Sequence, residues 1–150
     1  YADRRVILTP TVSSDPTAVA QVRSLWEMAG AEVVEMSVEH HDEVLAATSH
    51  LPHMLAFTLV DTLARLEDHD DIFRYAAGGF RDFTRIASSD PQMWNDICLN
   101  NRPALIAIIQ RYSAELASLA IAIEQGDSAT LIEQFTRAKV ARDTYCELAK

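Results

Sequence analysis

From Ser37 to the C-terminus the apolar residues recur with helical spacing, and no alternating, strand-like run interrupts them. That pattern restricts the greater part of the chain to an all-helical fold. Glu39 to Leu66 reads as one helix of 28 residues broken only by Pro52. Leu45, Leu55, Leu59, Leu63 and Leu66 form one stripe. At 100° per residue, Ala46, His50, His53, Phe57 and Ala64 fall on a roughly opposite face. Both faces carry apolar groups, so the helix is expected to be buried on two sides with its histidines inward. A shorter helical segment over Asp71 to Ala77 is interrupted by Gly78 and Gly79, and Asp90-Pro91 caps and restarts a helix. Arg102 to Gln125 is long and very apolar, with Leu105, Ile109, Tyr112, Leu116, Leu119 and Ile123 on its main stripe. Gly126-Asp127-Ser128 is a stop and restart, and the last helix turns Leu131, Phe135, Ala138 and Tyr145 inward. Helices apolar over so wide an arc in a 150-residue chain bury the excess against a second copy. A homodimer is expected.

The first 36 residues follow another pattern. Arg5 to Thr9 is a short apolar strand ended by Pro10. Asp15 caps a helix with Pro16 at its first position, Val19, Val22, Leu25, Trp26 and Ala29 form its stripe, and Gly30 stops it. Ala31 to Met36 is a second strand. This is the size of a parallel β-α-β crossover. Two strands do not make a stable sheet alone, so the unit is expected to dock on a larger α/β domain N-terminal to this chain. The reading therefore divides the chain at 36/37: a C-terminal remnant of a nucleotide-binding α/β domain over 1–36, and a helical domain over 37–150.

A net charge of −9 argues against nucleic acid as a partner. No stretch approaches the roughly 18 uncharged apolar residues of a membrane span, and no signal peptide is recognisable. Cys98 and Cys146 share no motif spacing, which makes a reduced, cytoplasmic setting the default. The charge is uneven. Within Arg74 to Arg85, three arginines against one aspartate leave the stretch at +2 and, from the total of −9, the rest of the chain at −11. A local island of arginine in an acidic chain suggests a small anionic ligand.

Two stretches hold the candidate chemistry. In "SHLPHML", His50 and His53 flank Pro52 inside an apolar helix. Zinc ligation would need a third group such as His41 or Asp42, and neither HExxH nor paired CxxC is present. Two hydrogen-bonded core histidines are the commoner structural reading. The proline weighs against it, because it frees the Thr48 carbonyl at a cost to the helix that function tolerates more readily than packing does. In "AAGGFRDFTRIASSDPQMW", Arg81 and Arg85 lie four apart behind a glycine pair that lets backbone approach a ligand. Arg85 can grip a carboxylate with two parallel bonds, and Trp94 offers a flat wall. Solvated surface arginines and a core tryptophan explain the same residues equally well. His40, His41 and Asp42 stand in the first turn of the long helix, where an acid suits the helix dipole. His69, in the acidic loop "EDHDD", reads as solvated.

"HHDEVLAATSHLPHMLAFTLV" followed by "GGFRDFTRIASSDPQMW" resembles the C-terminal half of the prephenate dehydrogenases, in order, spacing and chemistry, and the resemblance extends from "ILTPT" to the final helix. It implies a helical dimerisation domain, of the type that ends 6-phosphogluconate dehydrogenase, behind a piece of a Rossmann domain. It implies an NAD- or NADP-dependent oxidoreductase of tyrosine biosynthesis, which converts prephenate to 4-hydroxyphenylpyruvate with loss of CO2. The nucleotide and the proton-accepting histidine would belong to the N-terminal domain, since no GxGxxG occurs here. Carried over by motif, Arg85 would bind a substrate carboxylate, Ser49, His50 and His53 would line the pocket, Gly78 would bring backbone close, and Trp94 would close one side. Asp82 would form an ionic gate with an arginine such as Arg81, across the dimer. No residue of this chain would bind metal. In some relatives a histidine follows the glycine pair; here that position is Phe80. Tyrosine, similar to substrate and product, is the feedback ligand the resemblance suggests. Arogenate or cyclohexadienyl dehydrogenase activity, and a non-catalytic dimerisation or ligand-sensing module, are the alternatives.

Overall fold

The computed structural model describes residues 1–148, with side chains through Tyr145. The side chain of Cys146 lies outside the described residues. Two compact units are present, one over Tyr1–Ile108 and one from Ile109 onward.

The first unit opens with strand β1 (Arg5–Leu8), helix α1 (Pro16–Met28) and strand β2 (Glu32–Glu35). The strands pair in parallel, Val6 opposite Val33 and Ile7 opposite Val34. The Asp15 carboxylate accepts from the backbone N–H groups of Thr17 and Ala18, satisfying donors the helix itself cannot. Gly30 ends α1 with φ +87, the left-handed region open to glycine. Arg23 ties α1 to β2 by bonding the Val33 carbonyl and the Glu35 carboxylate. Leu25 and Met28 remain exposed on this piece.

The helical part begins where the Ser37 hydroxyl caps α2 (Val38–Leu45). A π-helical turn follows over Ala46–His50, and α3 (Leu51–Ala64) continues the same run. The expected break at Pro52 is therefore real but displaced. Leu51 N–H bonds the Ala46 carbonyl five residues back, and Pro52, which has no N–H to donate, follows the wide turn directly. The wide turn inserts an extra residue and rotates Ser49 and His50 relative to a regular helix.

Next come α4 (His69–Arg74) and α5 (Gly78–Thr84). Gly78 and Gly79, expected to interrupt a helix, instead start one, because Ala77 is extended at φ −86 and ψ 177. Arg85 leads a 3-10 turn (Arg85–Ser88) rather than continuing the α-helix of Arg81. Both α5 and that turn pack on α3. Helix α6 (Pro91–Asn100) is capped by the Asp90 carboxylate on Met93 N–H, at 2.8 Å. The Cys98 thiol meets the Met54 sulfur at 3.3 Å, joining α6 to α3. Ala46, Leu51, Ala56, Trp94 and Leu105 are buried here, together with one polar residue, Asn101.

Helix α7 (Arg102–Glu124) carries the chain from the first unit into the second, where α8 (Ser128–Leu148) follows. Gly126, at φ +65, makes the turn, and Asp127 accepts from both Thr130 N–H and Thr130 Oγ1. Those bonds hold the Asp127 carboxyl below its usual range. By length and composition α7 is the one helix among the described residues that could cross a membrane, although Arg111 and Glu115 stand in its middle. The inward set expected for α8 is not covered within this chain: Phe135 is 57% and Tyr145 65% exposed, as are Leu116 and Ile123 on α7 at 53% and 61%. The helical period put these residues on one face correctly, but one chain supplies nothing to bury it.

Candidate functional site

The π turn, α3 and α6 bring three aromatic rings together. His53 stacks on Trp94 with centroids 3.8 Å apart and planes 24° apart. His50 meets the same indole edge-on, at 6.1 Å and 77°. Trp94 is 6% exposed, whereas both imidazoles are half-buried. The Trp94 Nε1–H is buried and has no hydrogen-bond partner among the described residues. An orphaned donor of this kind costs about 1–3 kcal/mol.

Hydrogen bonds determine where each histidine carries its proton. His53 Nδ1 lies 2.8 Å from the Ser49 carbonyl, which can only accept, so Nδ1 is the protonated nitrogen and Nε2 of the neutral ring is a free acceptor. His50 is the reverse. Asn101 Nδ2 donates to the Asp42 carbonyl at 2.8 Å, and the same NH2 group reaches His50 Nδ1 at 3.2 Å. Flipping the Asn101 amide would set oxygen against oxygen at Asp42. His50 Nδ1 therefore accepts, and its proton sits on Nε2. One ring offers a donor and the other an acceptor.

Burial is the main cause of a lowered pKa at His50; Asp42 opposes it, and His41 and His53 add to it. The shift favours the neutral form of the His50 ring. His41 bonds Asp42 through Nδ1 at 3.0 Å. Among the described residues no three His, Cys, Asp or Glu side chains are grouped to hold a metal ion.

Of the residues singled out in the sequence, His50, His53 and Trp94 come together, and Ser49 joins them through its carbonyl. Arg81, Asp82 and Arg85 lie exposed on α5 and the following turn. Among the described residues none of the three forms an ion pair, so Arg85 keeps its guanidinium free. A Cβ built on Gly78 or Gly79 would meet no atom within 4 Å, leaving the start of α5 open. Asn101 was not foreseen. Its position between two helices reads as an ordinary stop signal, and only its burial marks it as a bonded polar group.

Residues 37–137 match the family described as prephenate dehydrogenase, dimerization domain. The chain belongs to that family. A cyclohexadienyl dehydrogenase of Zymomonas mobilis is 42% identical over 144 residues, covering 95% of this chain and 49% of that protein. A prephenate dehydrogenase of Bacillus subtilis is 41% identical over 138 residues, covering 91% of this chain and 37% of that protein. Among solved structures, prephenate dehydrogenase from A. aeolicus, in complex with hydroxyphenyl propionate and NAD+, superposes with a TM-score of 0.89 at 41% identity, over 97% of this chain and 51% of that one. The chain thus spans about half or less of the length of these relatives. The helical dimerisation-domain fold behind a short parallel sheet is as the sequence resemblance implied.

Proposed function

We propose that this chain is the substrate-binding and dimerisation part of an NAD(P)-dependent prephenate dehydrogenase, acting in the cytoplasm in tyrosine biosynthesis. The observation that carries the proposal is the family match over the segment holding His50, His53 and Trp94, with a free arginine on the turn packed against α3, the helix of His53. Prephenate is a dianion with a ring hydroxyl. Arg85 would pair with one carboxylate, His50 Nε2–H would donate to substrate oxygen, His53 Nε2 would accept, and Trp94 would wall the ring. Ser49 would line the same pocket, and the open start of α5 at Gly78 would let backbone approach. Asp82 would close an ionic gate with an arginine, Arg81 or its counterpart across the dimer.

The nucleotide is another matter. None of the four glycines lies in a GxGxxG turn. NAD or NADP would be held mainly by an N-terminal nucleotide-binding domain, and this chain would supply position and charge rather than the redox chemistry. The division at 36/37 belongs to this reading; the family match starting at 37 and the exposed Leu25 and Met28 on α1 support it. Tyrosine would compete for the same pocket. The Zymomonas relative's name keeps arogenate as an alternative substrate.

The test is turnover of prephenate with NAD, followed as NADH, by the protein that carries this chain and by its Arg85→Ala variant. Losing one charge-assisted carboxylate pair, about 1.5–3 kcal/mol, raises KM roughly 10- to 150-fold. Unchanged KM and kcat/KM would remove Arg85 from the site. No turnover on prephenate or arogenate with either nucleotide would leave a dimerisation module.

A further inference from the structure

The geometry points to Asn101 as a positioning residue that dictates which nitrogen of His50 faces the ligand as a donor. The inference deepens the proposed site and rests on that reading for its catalytic consequence, though not for its structural one. Asn101 is 7% exposed and is the one buried polar side chain among the described residues. It stands at the junction of α6 and α7, and its own N–H closes α6 on the Ile97 carbonyl. Its amide spans 59 positions of sequence to the Asp42 carbonyl in α2 and 51 to His50 in the π turn.

A primary amide has two N–H bonds. The first is donated to the Asp42 carbonyl, which can only accept, and this fixes the amide's orientation. The second then meets His50 Nδ1, and the neutral imidazole must answer with a lone pair. The Nε2–H tautomer follows. His53, one turn later, is fixed in the opposite tautomer by the Ser49 carbonyl. Without Asn101 the two rings could both present acceptors, and a substrate hydroxyl or carboxylate would lose its donor. The groups facing His50 are Asp42 and His41 from α2, His53 from α3 and the uncharged Trp94 from α6. None of these contributes a second hydrogen bond to Nδ1 among the described residues.

The decisive experiment reads the tautomer directly, by nitrogen-15 NMR of histidine-labelled full-length protein above pH 7, with His50→Gln used to assign the signal. Wild type should show His50 with bare Nδ1 and protonated Nε2. Asn101→Asp keeps the shape but puts a carboxylate, which accepts only, beside Nδ1. His50 Nδ1 should then become protonated, and the ring should hold its proton to higher pH than in wild type. In turnover, the same variant should raise KM for the dianionic substrate about tenfold while leaving KM for the nucleotide unchanged. Wild-type His50 carrying its proton on Nδ1 would overturn the inference, and that measurement needs no variant to fold. An Asn101→Asp signal identical to wild type would overturn it equally. Absence of turnover in the parent would refute the proposed reaction and leave the tautomer result standing.

Discussion

Trp94 permits a prediction in which two physical terms oppose each other. The ring is 6% exposed and stacks on His53, so Trp94→Ala removes a buried indole and leaves a cavity, a loss of about 3–5 kcal/mol. Yet its Nε1–H is buried with no partner among the described residues, and a buried donor left unbonded costs the folded state about 1–3 kcal/mol. Trp94→Phe deletes that donor and keeps a six-membered ring against His53. It gives up the rest of the indole, for about 1–2 kcal/mol of lost burial. The two terms nearly cancel, so Trp94→Phe should lie within about 1 kcal/mol of wild type while Trp94→Ala falls well below. Urea unfolding of the full-length protein, with m unchanged across the series, measures both. If Phe cost as much as Ala, the indole nitrogen would have to be forming a favourable bond, and the reasoning would fail. If Ala cost under about 1 kcal/mol, the stacking on His53 would not be a packing contact at all.

The lowered pKa of His50 makes stability pH-dependent in a definite direction. As pH falls below 6.5 the unfolded chain takes up a proton that folded His50 refuses, so stability should drop until the lower folded-state value is passed. Melting curves across that range, with His50→Gln flattening the response, check the sign. Gly78→Ala should stabilise the fold by about 0.4–1 kcal/mol, since the Cβ meets nothing and φ is not positive. If backbone approach to the ligand matters, the same change should raise KM, and an unchanged KM would assign the glycine to turn formation alone. Asp90→Ala removes the carboxylate that caps α6 and should cost about 0.5–2 kcal/mol in thermal or urea unfolding, with loosening at Trp94 four residues on.

Much of this protein was legible in one dimension because the relevant physics is local. Asp15 and Asp90 cap helices because short polar side chains satisfy the N–H groups just ahead of them, and each does so here. Gly30 and Gly126 end helices because only glycine enters the left-handed region at little cost. Short apolar runs placed the two strands, and helical spacing placed the long helices, to within a residue or two. The pairing of His50 with His53 was visible as a spacing of three.

What the sequence could not convey depended on contacts between distant segments. A proline marks a distortion but not its kind, which here is a π turn at Ala46–His50. Helical period also sorted Phe135, Tyr145, Leu116 and Ile123 onto apolar faces, yet whether such a face is covered is a property of the assembly and not of the repeat. Asn101 is the clearest case. Nothing within ten residues of it announces that its amide will meet a carbonyl 59 positions away and an imidazole 51 away. Residue types and their spacing determined that two histidines would share a site; tertiary structure decided which nitrogen of each would carry the proton, because a tautomer is chosen by the hydrogen-bond partner that folding brings to it.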